Sequence, residues 1–304
     1  MAARKSSPIP LKTVLVPVDL TPGSEAAISR LGHLPLAEDA RVTLLHVVPR
    51  SIPSANRARA VGDARHSLGE IAARLKPKWS AGVEIECEVK AGDPYAEIGK
   101  LGEASSAQLV VMGRCGTNDL REMFVGSTAE RVVRNARLRV LVVRNRARQQ
   151  YGRPLLAVSG DEPLPNLLKA LLRIVPAPQP PLAWVHAFDA PYHGLIYPSL
   201  TPMQSAEHES IFERKARAHV CAEIDAAIAK VAPARADAAP WRVFVLPGSP
   251  RRIIPNTVSM VKADLLAMCT QARAGLSHAL LGTVAGDVLR EVACDVLVVP
   301  PRRS

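Results

Sequence analysis

TVLVPVDLTPGS, residues Thr13–Ser24, runs a Val/Leu stretch into an aspartate, a Thr-Pro-Gly turn and the start of an amphipathic segment. PLLAVSGDEP (Pro154–Pro163) repeats that pattern in the other half of the chain. VTLLHVV (Val42–Val48) is matched by LAWVHAF (Leu182–Phe188), which sets His46 against His186, 140 residues on. Further along, VKAGDPYAEI (Val89–Ile98) matches VLPGSPRRII (Val245–Ile254) and AQLVVMG (Ala107–Gly113) matches ADLLAMC (Ala263–Cys269). FVGSTAERVVR (Phe124–Arg134) matches LLGTVAGDVLR (Leu280–Arg290), and RVLVVR (Arg139–Arg144) matches DVLVVP (Asp295–Pro300), all now 156 residues apart. The added 16 residues include APYHGLIYPSLTPM (Ala190–Met203), whose Pro and Gly content predicts an irregular loop. The chain is an internal duplication.

Each copy alternates short unbroken Val/Leu/Ile runs with stretches of helical periodicity. Runs without polar alternation suit strands buried on both faces of a parallel sheet. Glu25–Leu36, Arg57–Leu75 and Tyr95–Ala104 carry apolar residues at helical spacing. The expected fold is α/β: two tandem doubly wound, Rossmann-like domains with five parallel strands each. The boundary falls in the polar RNRARQQYGR (Arg144–Arg153), dividing the chain into 1–147 and 148–304. Edge strands near Leu138–Val143 and Asp295–Pro300 are expected to shield each other's unpaired backbone, giving an intramolecular pseudo-dimer. Two such chains could pair again as a homodimer.

The 304 residues are 48% hydrophobic and 22% charged, enough apolar material for two cores. With aromatics at 4%, those cores must be aliphatic. No run reaches the ~18–20 apolar residues of a membrane span, and MAARKSSPIPLK has no apolar stretch behind its basic residues. A cytoplasmic protein with no membrane partner is expected. Cys87, Cys115, Cys221, Cys269 and Cys294 show neither CxxC nor metal-ligand spacing, and read as small buried hydrophobes. Net charge is +11, and residues 1–150 hold 23 basic against 15 acidic side chains. Arg4, Lys5, Arg144, Arg146 and Arg148 contribute to that excess, but no aromatic stacking platform interleaves them. They read as a solvated tail and linker, so nucleic acid is not the expected partner.

The chemistry lies in MGRCGTNDLREMFVGSTAERVV, Met112–Val133. Gly113 ends a buried strand, Gly116 follows after two residues, and Gly126-Ser127 after nine more. Ser127 and Glu130 have the spacing of a capping box opening a helix. A helix N-terminus presents free N–H groups and a favourable dipole to an anion. Glycines let a phosphate reach the backbone where a Cβ would stand in the way, and the Ser127 and Thr128 hydroxyls can donate to it. Asp19 ends the first strand, at the edge where open α/β sheets bind ligands. There it can accept from ribose hydroxyls, or serve as a turn residue before Thr21-Pro22-Gly23.

This Gly-x2-Gly-x9-Gly-Ser pattern resembles the ATP-binding signature of the universal stress protein family. Val18-Asp19 with Ser24, Leu44–Val47 and Leu138–Val143 resemble its other strands, over nearly all of residues 10–146 and more weakly over 152–301. The resemblance implies adenine and ribose held by Pro17, Asp19 and Val47. It implies nucleotide lined by Met112, Gly113, Arg114 and Gly116, and phosphates bound by Gly126, Ser127 and Thr128. Arg114 could equally be a solvated loop arginine. ATP, with magnesium as its companion, is the implied ligand, and a protein partner is implied without being specified.

The second copy reads Cys269, Ala272, Gly282 and Thr283 at the signature positions, Ser159 for Asp19 and Gly286 for Glu130. Asp161 lies two residues beyond Ser159. Two glycines have gained side chains, so nucleotide is expected in the first half only. No GxxxxGK[ST], HxGH or SGGxDS motif occurs. His33, His46 and His66 have no neighbours marking a general base. A nucleotide-responsive stress or signalling module, without catalytic residues, is the expected function. Slow ATP hydrolysis or nucleotidyl transfer in the same site is the alternative.

Overall fold

In a computed structural model, residues 10–114, 127–135, 137–159, 164–176, 180–188, 202–233, 242–270 and 283–300 are described. The first half runs β1 (Leu11–Pro17), α1 (Pro22–Leu31), β2 (Leu36–Pro49), α2 (Ser54–Leu75), β3 (Glu84–Gly92), α3 (Pro94–Ala104), β4 (Leu109–Gly113), α4 (Ser127–Asn135) and β5 (Val140–Val143). The second repeats it as β6 (Pro154–Val158), α5 (Leu164–Leu172), β7 (Ala183–Phe188), α6 (Pro202–Val231), β8 (Arg242–Pro247), α7 (Pro250–Val261), β9 (Leu265–Cys269), α8 (Thr283–Glu291) and β10 (Asp295–Val299).

All ten strands form one sheet, in the order β3-β2-β1-β4-β5-β10-β9-β6-β7-β8. Within each half the pairings are parallel, as the unbroken apolar runs predict. Val14, Leu15 and Val16 in β1 are wholly buried because helices cover both faces. One face packs under Ile28 and Leu31 of α1, Leu68 of α2, Leu167 of α5 and Ile224 of α6. The other packs under Ile98 of α3, Val132 of α4, Val258 of α7 and Val288 of α8. Among the described residues no helix is long and apolar enough to cross a membrane.

Several element boundaries differ from the sequence reading, most at α1 and α6. α1 starts at Pro22 and stops at Leu31, not at Leu36. The Thr21 side chain accepts from the Gly23 N–H at 3.3 Å, Pro22 fills the first turn, and Gly32 caps the end. Leu36 belongs to β2, paired with Leu11. The expected loop Ala190–Met203 is also too long: Pro202 and Met203 open the 30-residue α6, and the rest of that segment lies outside the described residues.

The halves join where β5 and β10 run antiparallel, with Leu141 opposite Leu297. A buried polar network seals one end of this seam. Arg30 Nε donates to Asp295 Oδ2 at 2.9 Å, with side-chain exposures of only 9% and 4%. Tyr151 donates from its hydroxyl to the same oxygen at 2.7 Å, and its ring lies 3.9 Å beneath the Arg30 guanidinium. Burial first, and then the Asp295 charge, holds the Tyr151 hydroxyl well above its ordinary pKa, so it stays a donor. Asp295 Oδ1 accepts the Arg144 N–H at 2.9 Å, and Arg30 also donates to the Gln149 carbonyl at 2.8 Å.

Arg144 is therefore not the solvated linker residue expected. Its guanidinium donates to the carbonyls of Leu289 and Arg290, at 3.1 and 2.6 Å, and so caps the C-terminal turn of α8. Burial, followed by the nearby Arg114 charge, lowers its pKa to about 10. Arg146 and Arg148 are exposed, as expected.

Asp295→Ala strands the Arg30 charge in the seam and should cost about 3–5 kcal/mol. Because the cost comes from an unpaired ion, the double variant Arg30→Met/Asp295→Leu should recover much of it in urea denaturation. An equal loss in both would mean the pair does not act as a unit.

Candidate functional site

β1 is followed through α1 by β2 on one side, while β4 lies on its other side, so the order reverses between β1 and β4. Crossovers leave that point in opposite directions, which opens a crevice beyond the carboxyl ends of the two strands. The β1 wall is a tightly bonded turn. Asp19 Oδ1 accepts from the Thr21 N–H at 3.0 Å, from the Thr21 hydroxyl at 2.7 Å and from the Ser24 hydroxyl. The Asp19 N–H donates back to Ser24 Oγ at 3.1 Å. These bonds hold Leu20 at φ 61, a left-handed conformation that costs a branched side chain about 1–2 kcal/mol. Asp19 thus does act as a turn residue, yet through Oδ1 alone. Oδ2 has no partner among the described residues.

Behind the turn, His46 Nδ1 lies 2.8 Å from the Val18 carbonyl. A carbonyl can only accept, so Nδ1 carries the proton. His186 makes the same bond to Val158 in the second half, at 2.9 Å. The matched histidines each pin the end of a first strand, and with Nδ1 so used they are structural.

The β4 wall approaches the turn more closely than a side chain allows. An added Cβ on Gly113 would lie 2.3 Å from the Gly23 carbonyl oxygen. Glycine is needed here to seat α1 against β4, whether or not a phosphate also comes near. Met112 is buried under α3 and α4, Val47 packs half-buried against the same core, and half-buried Pro17 ends β1. Arg114 lies apart from this group: its guanidinium donates to the Arg290 carbonyl in α8 at 3.2 Å.

α4 forms the third wall. Ala129, Val132 and Val133 anchor it in the core. Arg131 fixes it to the start of α3, 3.1 Å from Asp93 and 4.7 Å above the Tyr95 ring. Thr128, half-buried, stands in its first turn. The Ser127 side of the expected capping box lies outside the described residues, and Glu130 Oε1 accepts from Arg134 and Arg290, each at 2.7 Å. Burial alone would raise the Glu130 pKa; the hydrogen bonds and charges of Arg290 and Arg134 outweigh it and hold the carboxyl below its ordinary value. Gly116 and Gly126 lie outside the described residues, as does the Ser127 side chain.

A separate cleft of about 720 Å³ lies between α1 and α2, lined by Leu20, Thr21, Ile71 and Arg74 among others. It shares Val18 and Ser24 with the turn but includes neither Val47 nor Gly113. The Arg74–Glu25 ion pair, at 2.8 Å, lies at its wall. Among the described residues no group of three His, Cys, Asp or Glu side chains could hold a metal ion.

The sequence profile of the universal stress protein family matches residues 10–144 and again 150–300. The chain belongs to the universal stress protein family. A universal stress protein of Methanocaldococcus jannaschii is 32% identical over 142 residues, covering 44% of this chain and 82% of that relative. The crystal structure of a universal stress protein from Archaeoglobus fulgidus is similar along both halves, with a TM-score of 0.66. It is 18% identical and covers 95% of this chain and 98% of that one. A Pseudomonas aeruginosa protein of unknown function has a TM-score of 0.67 at 18% identity, covering 96% of this chain and 93% of its own. The tandem fold is shared with both.

The second universal stress protein unit differs where the first makes its closest approach. Cys269, buried at the end of β9, carries a side chain at the position of Gly113. Ala272 and Gly282 lie outside the described residues.

Gly113→Ala should destabilise the protein by about 1–3 kcal/mol, through strain against Gly23. Gly99→Ala, in α3 with nothing within 4 Å of an added Cβ, should be neutral or stabilising by up to about 1 kcal/mol. Urea midpoints of the two variants compare them directly. Equal midpoints would remove the packing explanation for Gly113.

Proposed function

We propose that the chain is an adenine-nucleotide-binding universal stress protein with one ATP site, in the domain spanning residues 1–147. Residues 148–304 form a domain that binds none. The observation that carries this reading is the placement of one unengaged carboxylate oxygen, Asp19 Oδ2, and the N-terminus of α4 around the point where strand order reverses. Oδ2 has the chemistry to accept from a ribose hydroxyl. Pro17, Val47 and Met112 supply apolar surface toward adenine, and Gly113 keeps the turn and β4 close. Thr128, with Ser127, Gly126 and Gly116, would meet the phosphates by the helix N-terminus, where the dipole favours negative charge. Arg114 joins them only by leaving the Arg290 carbonyl, so of the proposed residues it contributes least. Magnesium would arrive coordinated to the triphosphate. Occupancy would change a surface read by a protein partner.

Among the described residues the site offers no activated nucleophile or general base, and His46 is bonded to the strand behind it. The role is binding and signalling, not turnover. Cys87, Cys221, Cys269 and Cys294 form no disulfide, in keeping with a reducing cytoplasm, although Cys87 is exposed and not buried as the sequence reading expects.

Because β10 is paired to β5, the intact chain is the right object for the test. Calorimetric titration with ATP and magnesium should give one site per chain. Gly126→Val should weaken it at least about 100-fold, equivalent to about 2.7 kcal/mol. Gly282→Val, the same change in the second half, should leave affinity unchanged. Two sites per chain, or sensitivity to Gly282→Val, would contradict the assignment; steady ADP formation abolished by Gly126→Val would favour an ATPase instead.

A further inference from the structure

Since Leu141 pairs with Leu297, its own counterpart 156 residues on, the pseudo-twofold axis of the seam passes between them. Every seam residue then has a partner position. Asp295 corresponds to Arg139, and Arg30 to Ala170. Alternation along the strands puts Asp295 and Arg139 on the same face as Leu297 and Leu141, the face covered by α1 and α5. At one end of that face Arg30 and Asp295 neutralise each other. At the other, an arginine occupies the aspartate's place.

Arg173 follows the last turn of α5, three residues beyond Ala170. Both arginines are half-buried, and the Nε of each is buried without a hydrogen-bond partner among the described residues. Neither forms an ion pair among the described residues. Burial first, and then the nearby Arg173 charge, lowers the pKa of Arg139. A buried donor without an acceptor is costly, and like charges held together call for a counter-charge. One guanidinium is matched by one carboxylate at the Arg30 end. Two neighbouring guanidinium groups favour a doubly negative partner, and their forked donors suit oxyanion oxygens.

We propose that Arg139 and Arg173 form an oxyanion site at the domain seam that takes a small dianion of the phosphate–sulfate class. It lies at the amino end of β5, whereas the proposed nucleotide crevice lies beyond the carboxyl ends of β1 and β4. It does not depend on that reading. A bound dianion adds a cross-link between α5 and β5, tying the two halves at the end of the seam that lacks an internal ion pair.

The test uses the full chain, crystallised without phosphate or sulfate and soaked in millimolar selenate. Anomalous density should appear between the two guanidinium groups. In solution, 10 mM phosphate should raise Tm by about 2 °C relative to chloride of equal ionic strength. Arg173→Gln should abolish the rise while keeping the wild-type far-UV spectrum, and Arg173→Lys should keep part of it. No density at the pair overturns the proposal. So does an equal Tm rise in wild type and Arg173→Gln, which would place phosphate elsewhere. Density without any phosphate-dependent Tm difference means an adventitious ion only, and overturns it as well.

Discussion

Antiparallel pairing of β5 with β10 is the contact on which the architecture rests. The two strands have four and five residues, and each would otherwise be the bare edge of a five-stranded parallel sheet. Joined, they leave β3 and β8 as the ends of a ten-stranded sheet among the described residues. Edges invite pairing with other chains, and closing two against each other removes that hazard. The pairing also brings the Arg30–Asp295–Tyr151 network into being, since its members come from α1, β10 and the linker between the halves.

Elements framing the candidate site are tied into this seam. α1 begins at the Asp19 turn and ends in Arg30, held by Asp295. α4 is joined to α8 through Glu130 and Arg290. β4 exits through Arg114, which donates to α8 as well. Although the second half has side chains where the signature has glycines, its backbone and charged residues brace the walls of the crevice in the first.

Sequence alone went far on the fold because buried parallel strands carry an unmistakable aliphatic run and the duplication supplied each one twice. The β5–β10 pairing was legible for the same reason: each run closed a half and needed an edge partner. What escaped were polar interactions distant in sequence. Nothing local marks Asp295 as the partner of a residue 265 positions away, and the basic spacing around Arg144 reads as a solvated linker until α8 is placed beside it. Glu130 has the spacing of a capping box, yet two arginines compete for it, one of them from the other half. Gly113 was read as room for a phosphate, whereas its bare Cα already has an occupant in the Gly23 carbonyl. The signal for that second role was present in Thr21-Pro22-Gly23, another point without a side chain facing it across the switch point.

The most direct test of the shared sheet is amide hydrogen exchange of the intact chain under native conditions. Amides of Val140–Val143 and Asp295–Val299 should exchange as slowly as those of β1 and β9, through global unfolding alone. Rapid exchange confined to these two segments would show that each half ends in an open edge, and would contradict the account.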